Sequence, residues 1–262
     1  MSKPRFAFTL LAFGYAFLYL PIALVMIYSF NESRMVTVWA GFSTRWWSAL
    51  FANQAMLDAA FLSLRIAVAS ATVATLLGLA AGYALARVPR FSGRAIFGSL
   101  VIAPMVMPEV VMGISMLLLF VGAERLLGGP ERGFLTIAIG HVTFSMAFVA
   151  IVVQARLSEF DRSLEEAAMD LGATPWVTFL TVTLPLIAPA LVSGWLLALT
   201  LSLDDLILTQ FVAGAQSETL PMRIYSSVRL GVDPQINVLA TIVVCVAVSA
   251  LVLSGWLTRR RA

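Results

Sequence analysis

Six long apolar stretches limit what this chain can become more than any other feature. They fall at residues 6–30, 56–87, 97–120, 134–154, 184–211 and 235–257. Crossing the hydrocarbon core of a bilayer takes roughly 20 helical residues. Inside it the backbone finds no water to bond, so each stretch is expected to satisfy its own N–H and C=O groups as an α-helix. Apolar residues recur at helical intervals rather than in strand alternation, which sets a β-barrel aside. Composition agrees, with 60% hydrophobic and only 12% charged residues, against about 25% charged in soluble domains. The chain is therefore expected to be all-α, a polytopic membrane protein with six transmembrane helices. The second and fifth runs are longer than a bilayer needs and are expected to tilt or to extend past the hydrocarbon. The first is too long for a signal-peptide core and lacks a small-residue cleavage site before Asn31, so it reads as a retained span.

Charge sets the orientation. The net charge of +3 would suit a nucleic-acid binder, but the basic residues bracket the apolar runs instead. Lys3 and Arg5 stand at one terminus, Arg259, Arg260 and Arg261 at the other, and Arg87, Arg90 and Arg94 share one short loop. With the N-terminus inside, ten Lys and Arg face the cytoplasm and six the outside, the bias expected of retained positive loops. Both termini are thus expected to be cytoplasmic. Arg65 lies within the second span, close enough to its outer end to snorkel. Residues 1–55 are expected to form the first helix and an outer loop, residues 56–257 a five-helix core, and residues 258–262 a basic tail. Gly128-Gly129-Pro130 reads as an outer turn. Gly78 and Gly82 form a G-x-x-x-G spacing that mostly means close helix packing. Cys245 is the only cysteine; no internal disulfide is possible, and it is expected as a small buried residue.

Residues 156–183 form the longest cytoplasmic connection and the most acidic, carrying Glu159, Asp161, Glu165, Glu166 and Asp170. Ser163 to Leu171 favours a short helix, with Ser163 as N-cap and Glu166 completing a capping box. Gly172 supplies a stop. Thr174 and Pro175 then start a second helix as cap and first residue. The prediction is a helix–turn–helix elbow running into the fifth span at Pro185.

Within that elbow stands Glu166-Ala167-Ala168-Met169-Asp170-Leu171-Gly172, followed after nine residues by Val182-Thr183-Leu184-Pro185. This resembles the E-A-A, x3, G, x9, I-x-L-P loop of binding-protein-dependent ABC permeases, with Val182 in the isoleucine place. The resemblance runs on through Tyr19-Leu20-Pro21, Tyr28-Ser29-Phe30-Asn31, Val38-Trp39-Ala40-Gly41-Phe42, residues 104–114, Ser202-Leu203-Asp204-Asp205 and Thr219-Leu220-Pro221. In these the chain is similar to the second, smaller permease of polyamine importers, and Val36-Thr37-Val38-Trp39 leans towards the putrescine type. The resemblance implies a type I ABC importer permease fold in a bacterial inner membrane. It implies that the elbow docks on an ATPase subunit, with Ala167 and Ala168 allowing close approach, Gly172 the tight turn and Glu166 a polar contact; Asp170 and Pro185 complete the motif. The implied partners are a homologous second permease, two copies of an ATP-binding subunit, a periplasmic polyamine-binding protein and membrane lipid, with no nucleic acid. ATP and magnesium would be bound by the partner, and no cofactor or metal by this chain.

A separate observation agrees. Lys3 is the only lysine, so the chain has no G-x-x-x-x-G-K-[ST] phosphate loop and any ATP coupling comes from elsewhere. With one histidine and one cysteine, and no H-E-x-x-H, neither a zinc site nor a thiol–imidazole pair is expected, and the chain is not read as an enzyme. An ion-coupled secondary transporter is the remaining rival, but no inverted repeat of the spans is evident.

Carboxylates within spans are costly and each asks for a reason. Glu109 is expected near the midplane of the third span, just after Pro104 and Pro108, and Asp204 and Asp205 in the outer half of the fifth. Adjacent helical residues point about 100° apart, so at most one of the pair faces a central path. Glu109, Asp204 and Asp205 are the candidates for a cationic substrate path. The alternative for the aspartates is pairing with Arg65 or a partner permease, and for Glu109 a packing or gating role. His141 reads as a hydrogen-bonded packing residue or a proton relay, and the stripe Met105, Met107, Met112 and Met116 as packing.

Overall fold

The computed structural model describes residues 4–35, 38–88, 91–129, 131–231 and 233–259, with side chains from Ala7 to Ser249. Lys3, Arg90, Arg260 and Arg261 of the charge pattern lie outside the described residues, as do Pro130, Val36 and Thr37. In chain order the helices are α1 (Pro4–Tyr28), α2 (Arg45–Ala52), α3 (Gln54–Arg87), α4 (Arg94–Val106), α5 (Glu109–Leu127) and α6 (Phe134–Ser158). After them come α7 (Ser163–Asp170), α8 (Pro175–Thr178), a π-helical turn (Phe179–Thr183), α9 (Leu184–Asp204), α10 (Ile207–Val212), α11 (Leu220–Leu230) and α12 (Gln235–Arg259). Among the described residues there are no strands, only one bridge between Asn31 and Phe42.

Among the described residues, five stretches are long and apolar enough to cross a membrane: Ala7–Tyr28, Gln54–Arg87, Glu109–Leu127, Phe134–Ser158 and Pro175–Asp204. The expected sixth run is α12, 25 residues long, of which Gln235–Ser249 forms a shorter apolar helix. The third and fifth expected runs are each split in two. The third breaks at Met107-Pro108, both extended, with ψ of 138° and 133°. A residue before proline is pushed out of the α region, and Pro108 has no N–H to continue the ladder. Glu109 then opens α5 in its first turn, where a carboxylate suits the helix dipole. The fifth breaks at Asp205, with ψ of 123°, although no proline stands there.

The chain divides into two compact units, Met1–Asp58 with Arg223–Ala262, and Ala59–Met222. In the first, α1 and α2 lie against α12, and Asn53 Nδ2 donates to Gln235 Oε1 at 3.0 Å. Buried Asn31 organises the exit of α1: its Nδ2 donates to Val38 O at 2.7 Å, and its Oδ1 accepts from Ala40 N at 3.0 Å. Cys245 is exposed on α12, not buried as expected.

The second unit is built around α6, where Ile137, Ala147, Val149, Val153 and Leu157 are fully buried. In lipid there is little hydrophobic drive between helices, so close van der Waals packing and small residues carry the association. The G-x-x-x-G of α3 serves that purpose. A Cβ on Gly78 would stand 2.6 Å from Val149 Cβ, and one on Gly82 2.6 Å from Ala150 O. Ala71 and Ala74 join Val149, Val153, Ile187 and Ala198 in one cluster, which draws α3, α6 and α9 together.

Candidate functional site

The elbow is α7, a turn, α8 and the π-helical turn, and its inner side is held by charge. The Arg87 guanidinium at the end of α3 meets the Glu165 carboxylate of α7, Nε to Oε2, at 2.9 Å; the two side chains are 8% and 13% exposed. The hydroxyl of buried Thr183, in the π-helical turn, donates to Glu165 Oε1 at 2.7 Å. Arg162 Nη2 donates to the Ala86 carbonyl at 2.9 Å. One carboxylate therefore ties α7 both to α3 and to the segment that becomes α9. Pro185 has no N–H to keep a regular ladder through that segment, and a π turn at such a place widens the helix locally.

The outer side of the elbow is open. Glu166, Ala167, Met169, Asp170 and Gly172 are exposed, Ala168 is half-buried, and Leu171 is 91% and Trp176 66% exposed. Gly172 has φ +88° with nothing within 4 Å of a would-be Cβ, so the turn needs glycine for its backbone and not for room. Thr174 caps α8 as expected, its side chain accepting from Val177 N at 3.4 Å, with Pro175 following. The capping box does not form. Ser163 is the first helical residue, and Asp161 Oδ1 accepts its N–H at 3.0 Å. That bond holds the Asp161 carboxyl below the usual carboxylate range. Arg162 holds the N-cap position without a side-chain bond, and Glu166 stays at the surface. The motif singled out Glu166, whereas Glu165 carries the internal tie; the legible signal was an arginine closing α3 opposite an acidic first turn.

The two helix breaks meet. Phe211 of α10 lies so close to α5 that a Cβ on Gly113 would stand 2.5 Å from Phe211 Cδ2, and Leu208 crowds Gly140 of α6 likewise, at 2.6 Å. Beside this contact is a cavity of about 320 Å³ lined by Glu109, Asp204 and Asp205 with Phe144, Leu201 and Ile207. All three acids singled out in the sequence thus come to one place, although 95 positions separate Glu109 from Asp204.

Their surroundings differ. Asp205 Oδ2 accepts the backbone N–H of Thr209 at 2.8 Å, and the Thr209 hydroxyl as well. His141 Nε2 lies 3.2 Å from the same oxygen and 2.9 Å from Thr209 Oγ1, while its Nδ1 lies 2.6 Å from Ser202 Oγ. Ser202 in turn meets Ser70 at 3.1 Å. His141, 4% exposed, is thus hydrogen-bonded at both ring nitrogens, an arrangement that both readings of its sequence allow. The Asp205 carboxylate, one residue before the N-cap Leu206, takes up the Thr209 N–H of the first turn of α10, which explains a break without proline. Glu109 and Asp204 are exposed, and among the described residues no side chain pairs with either. Arg65 pairs with no aspartate there; its guanidinium lies over the rings of Phe61 and Phe134. Of the methionines, Met112 is buried in the cluster that holds Leu208 and Val212 and Met116 packs against it, while Met105 and Met107 are exposed.

Comparison with known proteins agrees with this architecture. Residues 74–261 match the family described as binding-protein-dependent transport system inner membrane component. The chain is 54% identical over 235 residues to the putrescine transport system permease protein PotI of Escherichia coli K12, covering 89% of this chain and 84% of that one. It is 42% identical over 245 residues to the spermidine/putrescine transport system permease protein PotC of the same organism, covering 94% and 90%. Its fold is similar to that of a chain in the crystal structure of a bacterial ABC transporter involved in the import of the acidic polysaccharide alginate. That likeness has a TM-score of 0.73 at 19% identity, covering 97% of this chain and 95% of the other. The chain belongs to the binding-protein-dependent transport system inner membrane component family, as a membrane permease of the ABC importer kind.

Proposed function

We propose that this permease carries small polyamines across the inner membrane by alternating access, with putrescine the favoured substrate. The observation that carries the reading is the cavity where Glu109 and Asp204, two carboxylates with no side-chain partner among the described residues, stand beside Phe144 at the meeting of two helix breaks. A polyamine is a methylene chain with ammonium ends, and its path wants separated carboxylates among apolar and aromatic walls. At an effective dielectric of about 20, an ammonium 4 Å from a carboxylate gains about 4 kcal/mol. Part of this is offset by desolvation, so a dication is attracted without being trapped. The 54% identity to a putrescine permease supports the same substrate class. Spermidine fits the same chemistry and is the second reading, as does any other small cation with separated charges.

In this reading ATP and magnesium are bound by two copies of an ATP-binding subunit, a homologous second permease completes the pathway, and a periplasmic binding protein delivers the substrate. Glu166, Ala167, Ala168, Asp170 and Gly172 form the face offered to the ATPase, with Pro185 at the root of α9; the exposure of all but half-buried Ala168, and that of Leu171, supports this role. The Lys and Arg bias supports cytoplasmic termini. The elbow continues through the π turn into α9, whose 21 residues span about 30 Å and end at Asp204. A shift of the elbow therefore acts along one rod on the acid cavity, and Glu165 keeps α3 moving with it. Labelled putrescine, spermidine and a neutral sugar are to be offered to cells lacking this gene, with and without its restoration. Polyamine uptake that returns on restoration and disappears with an ATPase-dead partner is the expected result. Unchanged polyamine uptake in cells with no backup system removes the substrate from the reading.

A further inference from the structure

Arg65 is a cation standing at the head of an apolar groove. Positions 65 and 87 of α3 differ by 22, which is about 33 Å of helix at 1.5 Å per residue. The hydrocarbon core of a bilayer is about 30 Å thick. Arg87 is held against the elbow by Glu165, so with that end at one headgroup layer Arg65 stands at the opposite one. From Arg65 towards Arg87, Val68, Ala69, Thr72 and Val73 line an open groove of about 600 Å³, closed at its head by Phe134 of α6. The other face of α3 here is in the core, with Ile66, Ala67, Ser70 and Ala71 buried. Thr72 leaves little polarity in the groove, because its hydroxyl donates to Val68 O at 2.7 Å and accepts the Trp195 indole N–H at 3.1 Å.

The guanidinium carbon lies 5.7 Å from the ring centre of Phe61 and 5.5 Å from that of Phe134. These rings give the guanidinium no acceptor for its N–H groups, the fork that grips phosphate in bidentate fashion. Among the described residues no carboxylate lies within ion-pair distance of Arg65. We propose that this groove binds an anionic phospholipid, its phosphate on the Arg65 guanidinium and one acyl chain along Val68 and Val73. The shape supports a lipid over a segment of protein. One cation stands at headgroup depth, and the apolar surface runs from it into the hydrocarbon, so the groove repeats the order of a lipid from head to tail. The site is separate from the acid cavity and does not depend on which side of the membrane the termini occupy.

The test uses the assembled importer in nanodiscs carrying either of two lipids with a photoreactive group in the acyl chain, phosphatidylglycerol or phosphatidylethanolamine. Labelled peptides spanning residues 61–75 are then read by mass spectrometry. One surface cation favours an anionic lipid by about five-fold, so phosphatidylglycerol is expected to label this stretch about five times more than phosphatidylethanolamine. Arg65→Gln is expected to bring the two probes level, and Val68→Trp, which fills the groove and keeps the charge, to lower labelling by both. Size-exclusion of each variant complex confirms assembly. Equal labelling of the unmodified complex by the two probes overturns the proposal, as does no labelling of this stretch. A cross-link from position 65 to the second permease also overturns it, and assigns Arg65 to a subunit interface.

Discussion

Replacing Glu165 by alanine tests whether the elbow is tied to the membrane core through one carboxylate. The substitution leaves the Arg87 guanidinium, whose side chain is 8% exposed, without a counter-charge, and the Thr183 hydroxyl without its acceptor. Removing one partner of a fully buried pair costs about 3–5 kcal/mol, because the other charge is stranded. With 8% and 13% exposure some water reaches this pair, so about 3 kcal/mol is expected. Replacing both partners by apolar residues of similar volume is often close to neutral. Arg87→Met and Glu165→Leu together are therefore expected to be less destabilising than either change alone, with a coupling of about 2–3 kcal/mol between the sites. Unfolding of the purified complex, followed as loss of near-ultraviolet circular dichroism against denaturant, supplies the four corners of the cycle. The same four complexes in proteoliposomes report ATP hydrolysed per substrate carried. Glu165→Leu alone is expected to raise that ratio, since a loosened elbow no longer moves α9 with the ATPase. Additive single changes, with coupling below about 0.5 kcal/mol, would refute the tie.

Three further outcomes follow from the geometry. Gly172→Ala, at φ +88° in open space, is expected to cost about 1 kcal/mol from the backbone alone and to leave partial uptake. Gly172→Glu abolishes uptake while the protein still inserts, and normal uptake in that variant sinks the coupling role. Asp204→Asn and Asp205→Asn separate the two aspartates. The first is expected to raise the KM for putrescine at unchanged melting temperature. The second removes a charged acceptor from the Thr209 and His141 donors and is expected to lose about 1.5–3 kcal/mol of stability. Identical effects of the two on melting refute the division of labour. Gly82→Val drives side-chain atoms into the Ala150 carbonyl, where even a Cβ would stand at 2.6 Å, and is expected to lower the yield of folded protein at least two-fold. Gly122→Val, with nothing within 4 Å, is its control.

Sequence alone determined the class of molecule and the elbow, because both are written in local terms. A run of about 20 apolar residues has one stable form in a bilayer wherever it lies in the chain. The Thr174-Pro175 start and the Gly172 stop likewise depend only on their neighbours. The first break has a local cause in the missing N–H of Pro108, but the run was expected as one span, and Pro104, the other proline there, stays inside α4. Tertiary structure decided what depends on residues distant in the chain. The break at Asp205 has no proline and arises from bonds to Thr209 and His141, the latter 64 residues away. The choice of Glu165 over Glu166 as the tie rests on where Arg87 and Thr183 arrive. The helix start shifted so that Arg162, not Ser163, stands at the N-cap, with Asp161 bonding the first helical N–H, a choice of register that two capping-type residues two apart leave open to their surroundings. Asp204 and Asp205 were indistinguishable as letters. They differ because a helix that stops between two carboxylates ties one to the first turn of α10 and leaves the other facing the cavity that α5 and α10 create by meeting.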